Sequence, residues 1–110
     1  MILAKEYKEF ILKKEFFKAH EALEEYWFPR RKTKSREVLI VKGFINAAVA
    51  FELKKRGRLE RALKVWETYL KFSKLIESND TLFIELKSFI EEYGQNYLFD
   101  AIISEKSDTR

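Results

Sequence analysis

The sequence contains no cysteine, and this absence excludes several classes of protein. Without thiols the chain has no disulfide framework, no cysteine nucleophile and no cysteine-ligated zinc or iron–sulfur centre. Glycine (3) and proline (1) are also scarce, which disfavours both disorder and folds built from many tight turns. With 46% hydrophobic and 15% aromatic residues, a chain of 110 residues can bury a core of its own. We therefore expect a single all-α domain over residues 1–110.

Long uncharged runs are missing as well. The longest stretch without a charged residue is 43–51, which is far shorter than the roughly 20 residues that a membrane-spanning helix needs. Charges begin at Lys5, so no signal peptide is expected. These features predict a cytoplasmic protein with no membrane association. The mixed charge (36% charged, net +4) and the lack of cysteine are typical of a thermophilic source.

Apolar residues recur at helical spacing along nearly the whole chain, so its interruptions define the elements. Breaks fall at 13–15, at Pro29 with the basic run that follows it, at Gly57, and at the turn-forming cluster 78–81. They predict five helices, near residues 2–13, 16–28, 36–56, 59–77 and 80–93. Gly94 is expected to close the last of them.

The remaining C-terminal residues are less regular. Apolar side chains between 97 and 103 favour a sixth, short helix, and we expect 104–110 to be a frayed tail. Two of the longer helices also match at an offset of 43 residues, where Ala19, Glu24 and Tyr26 correspond to Ala62, Glu67 and Tyr69. This match predicts two packed helix-turn-helix hairpins. Two units are too few for a repeat array, so a closed bundle is favoured.

Two ionisable residues, His20 and Glu24, fall near the centre of the apolar arc of the second helix. The apolar members of that arc are Phe16, Phe17, Leu23, Trp27 and Phe28. Burial of an unpartnered imidazole or carboxylate costs several kcal/mol, so both groups need partners. Asn46 is the one polar residue in the segment 43–51, and its amide can both donate and accept. It is the first candidate to bridge the pair, and Glu67, Tyr69 and Tyr26 are weaker candidates.

These residues carry a family resemblance. The segment Ala19-His20-Glu21, with Glu24 and Trp27, is followed by Gly43-Phe44-Ile45-Asn46 and then by Gly57-Arg58. The pattern resembles the prokaryotic domain of unknown function family 309 over about residues 4–72. That family has Gln where this chain has Asn46, Leu where it has Phe44, and Gly-Asn where it has Gly57-Arg58. The resemblance implies an all-helical fold and a prokaryotic source, and it assigns no catalytic residue.

Three interpretations of the polar residues stay open. His20, Glu24 and Asn46 can form a structural cluster that fixes helix register. Alternatively, His20, Glu21, Glu24, Trp27 and Asn46 form the centre of a binding or assembly module. A third possibility is a metal-dependent hydrolase, in which His20 and Glu24 hold a divalent metal and Glu21 is the base. That site needs a third protein ligand, for which Glu52 or Glu67 is a candidate. The residues leave enzyme activity undecided, and a role without it is favoured over the hydrolase.

Partners are predicted from charge and apolar area. Two basic segments, 30–36 and 54–58 with Arg61, are candidates for nucleic-acid binding. They flank a helix of about 21 residues, so they are expected to lie roughly 30 Å apart. The apolar residues of the fifth helix leave area for a homodimer.

Overall fold

The computed structural model describes residues 2–99, which form five α-helices. They are α1 (Ile2–Leu12), α2 (Phe16–Trp27), α3 (Arg36–Lys55), α4 (Leu59–Ser73) and α5 (Thr81–Gly94). A 3₁₀ turn at Phe28–Arg30 follows α2, and a π-helical turn at Gln95–Phe99 follows α5. No strand occurs within 2–99, so the predicted all-α class is confirmed. The predicted tail, 104–110, and residues 100–103 of the predicted sixth helix lie outside the described residues.

The two hairpins, α1–α2 and α3–α4, have the same turn. In the first, Lys14 has a φ of 58° and the amide of Glu15 donates to the carbonyl of Phe10 over 2.9 Å. In the second, Gly57 has a φ of 81° and the amide of Arg58 donates to the carbonyl of Leu53 over 2.9 Å. This is the six-residue closure typical of helix C-termini. Corresponding positions differ by 43 residues, as the sequence match predicted.

Helix α3 is the centre of the bundle because it packs against α2 on one side and α4 on the other. Its small residues allow the close approach: a Cβ on Gly43 would lie 2.8 Å from the Cβ of Phe72. The buried side chains of α3 include Ile40, Val41, Phe44, Ala47, Ala48, Ala50 and Phe51. The first helix is tied to this centre by a hydrogen bond of 2.7 Å from the Tyr7 hydroxyl to the Phe44 carbonyl.

Two predicted helix ends are wrong. Helix α4 ends at Ser73 rather than at 77, because the amides of Leu75 and Ile76 turn back to carbonyls three residues earlier. Gly94 ends α5 but does not terminate the helical path, since Gln95 keeps helical dihedrals and continues into the π turn. Instead, the glycine makes room for the indole of Trp66.

The segment 74–80, between α4 and α5, is held against the start of α3 by hydrogen bonds from Arg36. The guanidinium of Arg36 binds both carboxylate oxygens of Asp80, and it donates to the Leu75 carbonyl over 3.3 Å. None of the helices within 2–99 is long and apolar enough to span a membrane.

Candidate functional site

His20 and Glu24 form a direct pair on α2. The imidazole Nε2 lies 2.7 Å from a carboxylate oxygen of Glu24, one helical turn away. A carboxylate on one ring nitrogen fixes the orientation of the imidazole and leaves Nδ1 for another partner. The expected contact between the two residues is therefore present.

Their predicted burial is wrong. The side chains of His20 and Glu24 are 25% and 38% exposed, so the pair lies at the edge of the core. The buried residues of α2 are Phe16, Ala19, Ala22 and Leu23, which form a narrower stripe than the predicted arc. Phe17 and Phe28, expected in the core, are 58% and 54% exposed. Helices α1 and α3 pack against α2, and Phe16 at its start also contacts the rings of Tyr93 and Tyr97.

Asn46 does not bridge the pair. Its amide nitrogen donates over 2.8 Å to the carbonyl of Lys42, one turn earlier in the same helix. The Nζ of Lys42 lies 5.9 Å from the ring centroid of Trp27, so these two motif residues are linked through Lys42. Glu21 is exposed and lines a shallow depression with Glu24 and Glu25. Of the five predicted residues, His20 and Glu24 therefore contact each other, Trp27 and Asn46 each lie against a different part of Lys42, and Glu21 is solvated.

A groove of about 230 Å³ lies between α2 and α3 beside the imidazole. Its walls are apolar apart from His20 and the Glu52–Arg56 ion pair, whose atoms are 3.1 Å apart. The apolar lining consists of Phe16, Phe17, Ala48, Val49 and Leu53. The ring centroid of Phe17 lies 5.9 Å from that of His20. The groove is therefore an apolar concavity with His20, a residue of the family pattern, at its edge.

The comparison with protein families identifies the chain. The family described as Domain of unknown function (DUF309) matches residues 5–65, which covers most of α1, all of α2 and α3, and the first half of α4. The chain belongs to the DUF309 family. No curated protein and no solved structure matches it.

The set of ligands predicted for a divalent metal is incomplete in this DUF309 chain. No group of three or more His, Asp or Glu side chains within 2–99 is arranged to hold a metal ion. Glu52, one suggested third ligand, lines the same groove as His20 but is paired with Arg56. Glu67, the other, is an exposed residue of α4. A divalent metal on His20 and Glu24 would need its remaining ligands from water or from a second chain.

Sequence reasoning missed Phe17 and the Glu52–Arg56 pair as groove residues of the DUF309 domain. The helical spacing of Phe17 is that of a core residue, and no signal in the sequence distinguishes it from Phe16. The spacing of Glu52 and Arg56 does predict a pair on one helix face. Their place on the α2 side of α3 depends on how the helices pack.

Proposed function

We propose that this DUF309 chain is an assembly module that forms a homodimer through the α2–α3 groove. The observation that carries the proposal is the exposed phenyl ring of Phe17, which forms one wall of an apolar groove next to His20. An aromatic ring left in water beside an apolar concavity favours an interaction surface.

The size of the groove favours a side chain as its occupant. Its volume of about 230 Å³ is below the roughly 300–1,000 Å³ of typical small-molecule sites. A twofold contact needs one patch that contains both a projection and a cavity. Phe17 is the projection and the groove beside it is the cavity, so each copy can insert its Phe17 ring into the groove of the other.

The charges of the patch are also self-complementary. Glu52 and Arg56 place one negative and one positive group on the same groove. In a twofold arrangement the acid of one copy can face the base of the other, with no like charges opposed. His20 is oriented by Glu24 through Nε2, and its Nδ1, which has no hydrogen-bond partner within residues 2–99, can make a polar contact across the interface.

Sedimentation equilibrium over a wide concentration range tests the proposal, with Phe17→Ser as the decisive variant. Burial of a phenyl side chain contributes about 1.5–3 kcal/mol, and a twofold contact counts it twice. Because roughly half of that area is already buried in the monomer, we expect dimerisation at least tenfold weaker. Phe28→Ser is the matched control, since Phe28 is similarly exposed but does not line the groove.

A wild-type protein that stays monomeric at every concentration refutes the proposal, as does an equal effect of the two serine variants. His20→Ala should weaken dimerisation while its far-ultraviolet circular dichroism stays that of the wild type. If the polar pair is purely structural, the same variant loses thermal stability and dimerises normally. Metal content of the purified protein, measured alongside, tests whether His20 and Glu24 also hold a divalent ion.

A further inference from the structure

The fold brings cations from three elements to one end of the bundle. The Nζ of Lys55, at the end of α3, donates to the carbonyl of Lys14 in the α1–α2 turn over 3.0 Å. Lys14 and Lys54 both place Nζ over the ring of Tyr97, 5.5 and 4.2 Å from its centroid. The α3–α4 turn adds further cations directly after Lys55. We call this surface the basic end; its residues are Lys14, Lys54, Lys55, Arg58, Arg61 and Lys64.

An open depression of about 550 Å³ lies on the basic end. Three cations, Arg58, Arg61 and Lys64, line it together with Gly57, Leu59 and Glu60. Within residues 2–99 these three cations make neither an ion pair nor a side-chain hydrogen bond. Neighbouring unpaired cations repel one another and raise the local concentration of anions.

The other basic segment, 30–36, is different because its arginines are occupied within the chain. The guanidinium of Arg30 stacks on Tyr26, 4.1 Å from the ring centroid, and donates to the Tyr26 carbonyl. Arg31 stacks on Phe28 at 3.7 Å, and Arg36 pairs with Asp80. These contacts give the segment a structural role. In the second basic segment, by contrast, Arg58 and Arg61 make no such side-chain contact within residues 2–99.

We propose that the basic end binds nucleic acid through its phosphate backbone. A concave surface with several cations matches a chain of phosphates, each of which contacts one or two side chains. Lys14 and Lys54, held over the ring of Tyr97, add two more cations to the same end of the bundle. A flat anionic bilayer does not enter a depression, and the lining has one apolar side chain, the partly buried Leu59, for acyl chains to contact.

Fluorescence anisotropy of a labelled oligouridine at increasing KCl concentration tests the proposal. Each phosphate neutralised contributes about −0.7 to the slope of log affinity against log salt for a single strand. The triple variant Arg58→Gln/Arg61→Gln/Lys64→Gln removes three such cations. We expect it to make the slope shallower by about 2 and to bind at least tenfold more weakly at low salt.

The matched control is Lys32→Gln/Lys71→Gln/Lys74→Gln, which removes the same charge from exposed positions away from the basic end. It should keep the wild-type slope. Circular dichroism checks that both triples fold; if the first does not, Arg58→Gln alone, at a residue before α4, replaces it and should reduce the slope by about 0.7.

Three results would overturn the proposal. The first is a wild-type slope in the folded Arg58/Arg61/Lys64 variant. The second is an equal loss in the control triple, which would mean that net charge alone attracts the oligonucleotide. The third is binding to phosphatidylserine vesicles without binding to oligouridine, which would assign the basic end to a membrane surface.

Discussion

Replacing Gly94 with alanine is the sharpest test of how α5 packs on the bundle. A Cβ on this residue would lie 2.8 Å from Cζ2 and 2.9 Å from Cζ3 of Trp66. The indole is 5% exposed and is held by Phe51 and Tyr69, whose ring centroids are 5.6 and 4.8 Å from its own. Because the ring cannot move away freely, either α5 or the indole must shift.

The expected change in the free energy of unfolding follows from two opposing effects of Gly94→Ala. Overpacking of a filled core costs about 1–3 kcal/mol, and contact with three atoms of a rigid ring places Gly94→Ala toward the upper value. Alanine in a helix gains about 1 kcal/mol over glycine. The net destabilisation is therefore about 2 kcal/mol. For a domain of this size it corresponds to a fall in Tm of roughly 10 °C.

Urea and thermal unfolding followed by circular dichroism measure this loss, with two controls. Ser88→Ala, at an exposed position of the same helix, changes helix propensity without a clash and should be neutral or slightly stabilising. In a Trp66→Phe background, Gly94→Ala should cost at least about 1 kcal/mol less than in the wild type, since the smaller ring leaves room. An unchanged or raised stability of Gly94→Ala, or an equal cost in both backgrounds, would refute the packing argument.

Further predictions concern hydroxyls, a turn and pH. Tyr7→Phe should cost about 1 kcal/mol in urea unfolding because it removes a buried hydrogen bond, whereas Tyr93→Phe should be neutral or stabilising because the Tyr93 hydroxyl is buried without a partner among residues 2–99. Lys14→Gly should raise stability by up to about 1 kcal/mol, since the left-handed backbone there costs a lysine more than a glycine. Hydrogen bonds from Arg36 and the Glu77 amide lower the pKa of Asp80, so its stabilisation is present above about pH 4 and lost as pH falls further; acid unfolding of Asp80→Asn should show a shallower pH dependence. Burial raises the pKa of Tyr93 to about 12, so stability should be complete below about pH 10 and decline toward pH 12, which absorbance titration of the phenols can follow.

The sequence predicted the fold well because local signals agreed with packing. Helical spacing, Pro29, Gly57 and the turn-forming cluster 78–81 located α2, α3 and the starts of α4 and α5 within a residue or two. The end of α4 could not be predicted, because residues 74–77 are compatible with a helix. They leave it because Arg36, which is distant in sequence, draws Leu75 and Asp80 to the start of α3.

The candidate site was harder to predict. Spacing of one turn predicts the His20–Glu24 contact, which depends on α2 alone. Burial of that pair and the partner of Asn46 depend on which side of α2 meets α3. Helical periodicity gives a broad arc and cannot fix that rotation. An asparagine inside a helix also has a local acceptor one turn back, and this local bond is the one Asn46 makes.

The sequence match at an offset of 43 residues determines where the two hairpin turns lie, and so where the basic end forms. Two hairpins with equal turns, packed side by side through α2 and α3, alternate in direction, so their turns must lie at the same end of the bundle. Lys14 and Gly57 occupy the same position in the two turns, and each turn is flanked by cations. At the opposite end the linkers carry cations too, but there Arg36 meets Glu77 and Asp80. The sequence match at 43 residues therefore predicts a basic surface that neither charged segment indicates by itself. At the other end, Glu77 and Asp80 neutralise the charge of Arg36.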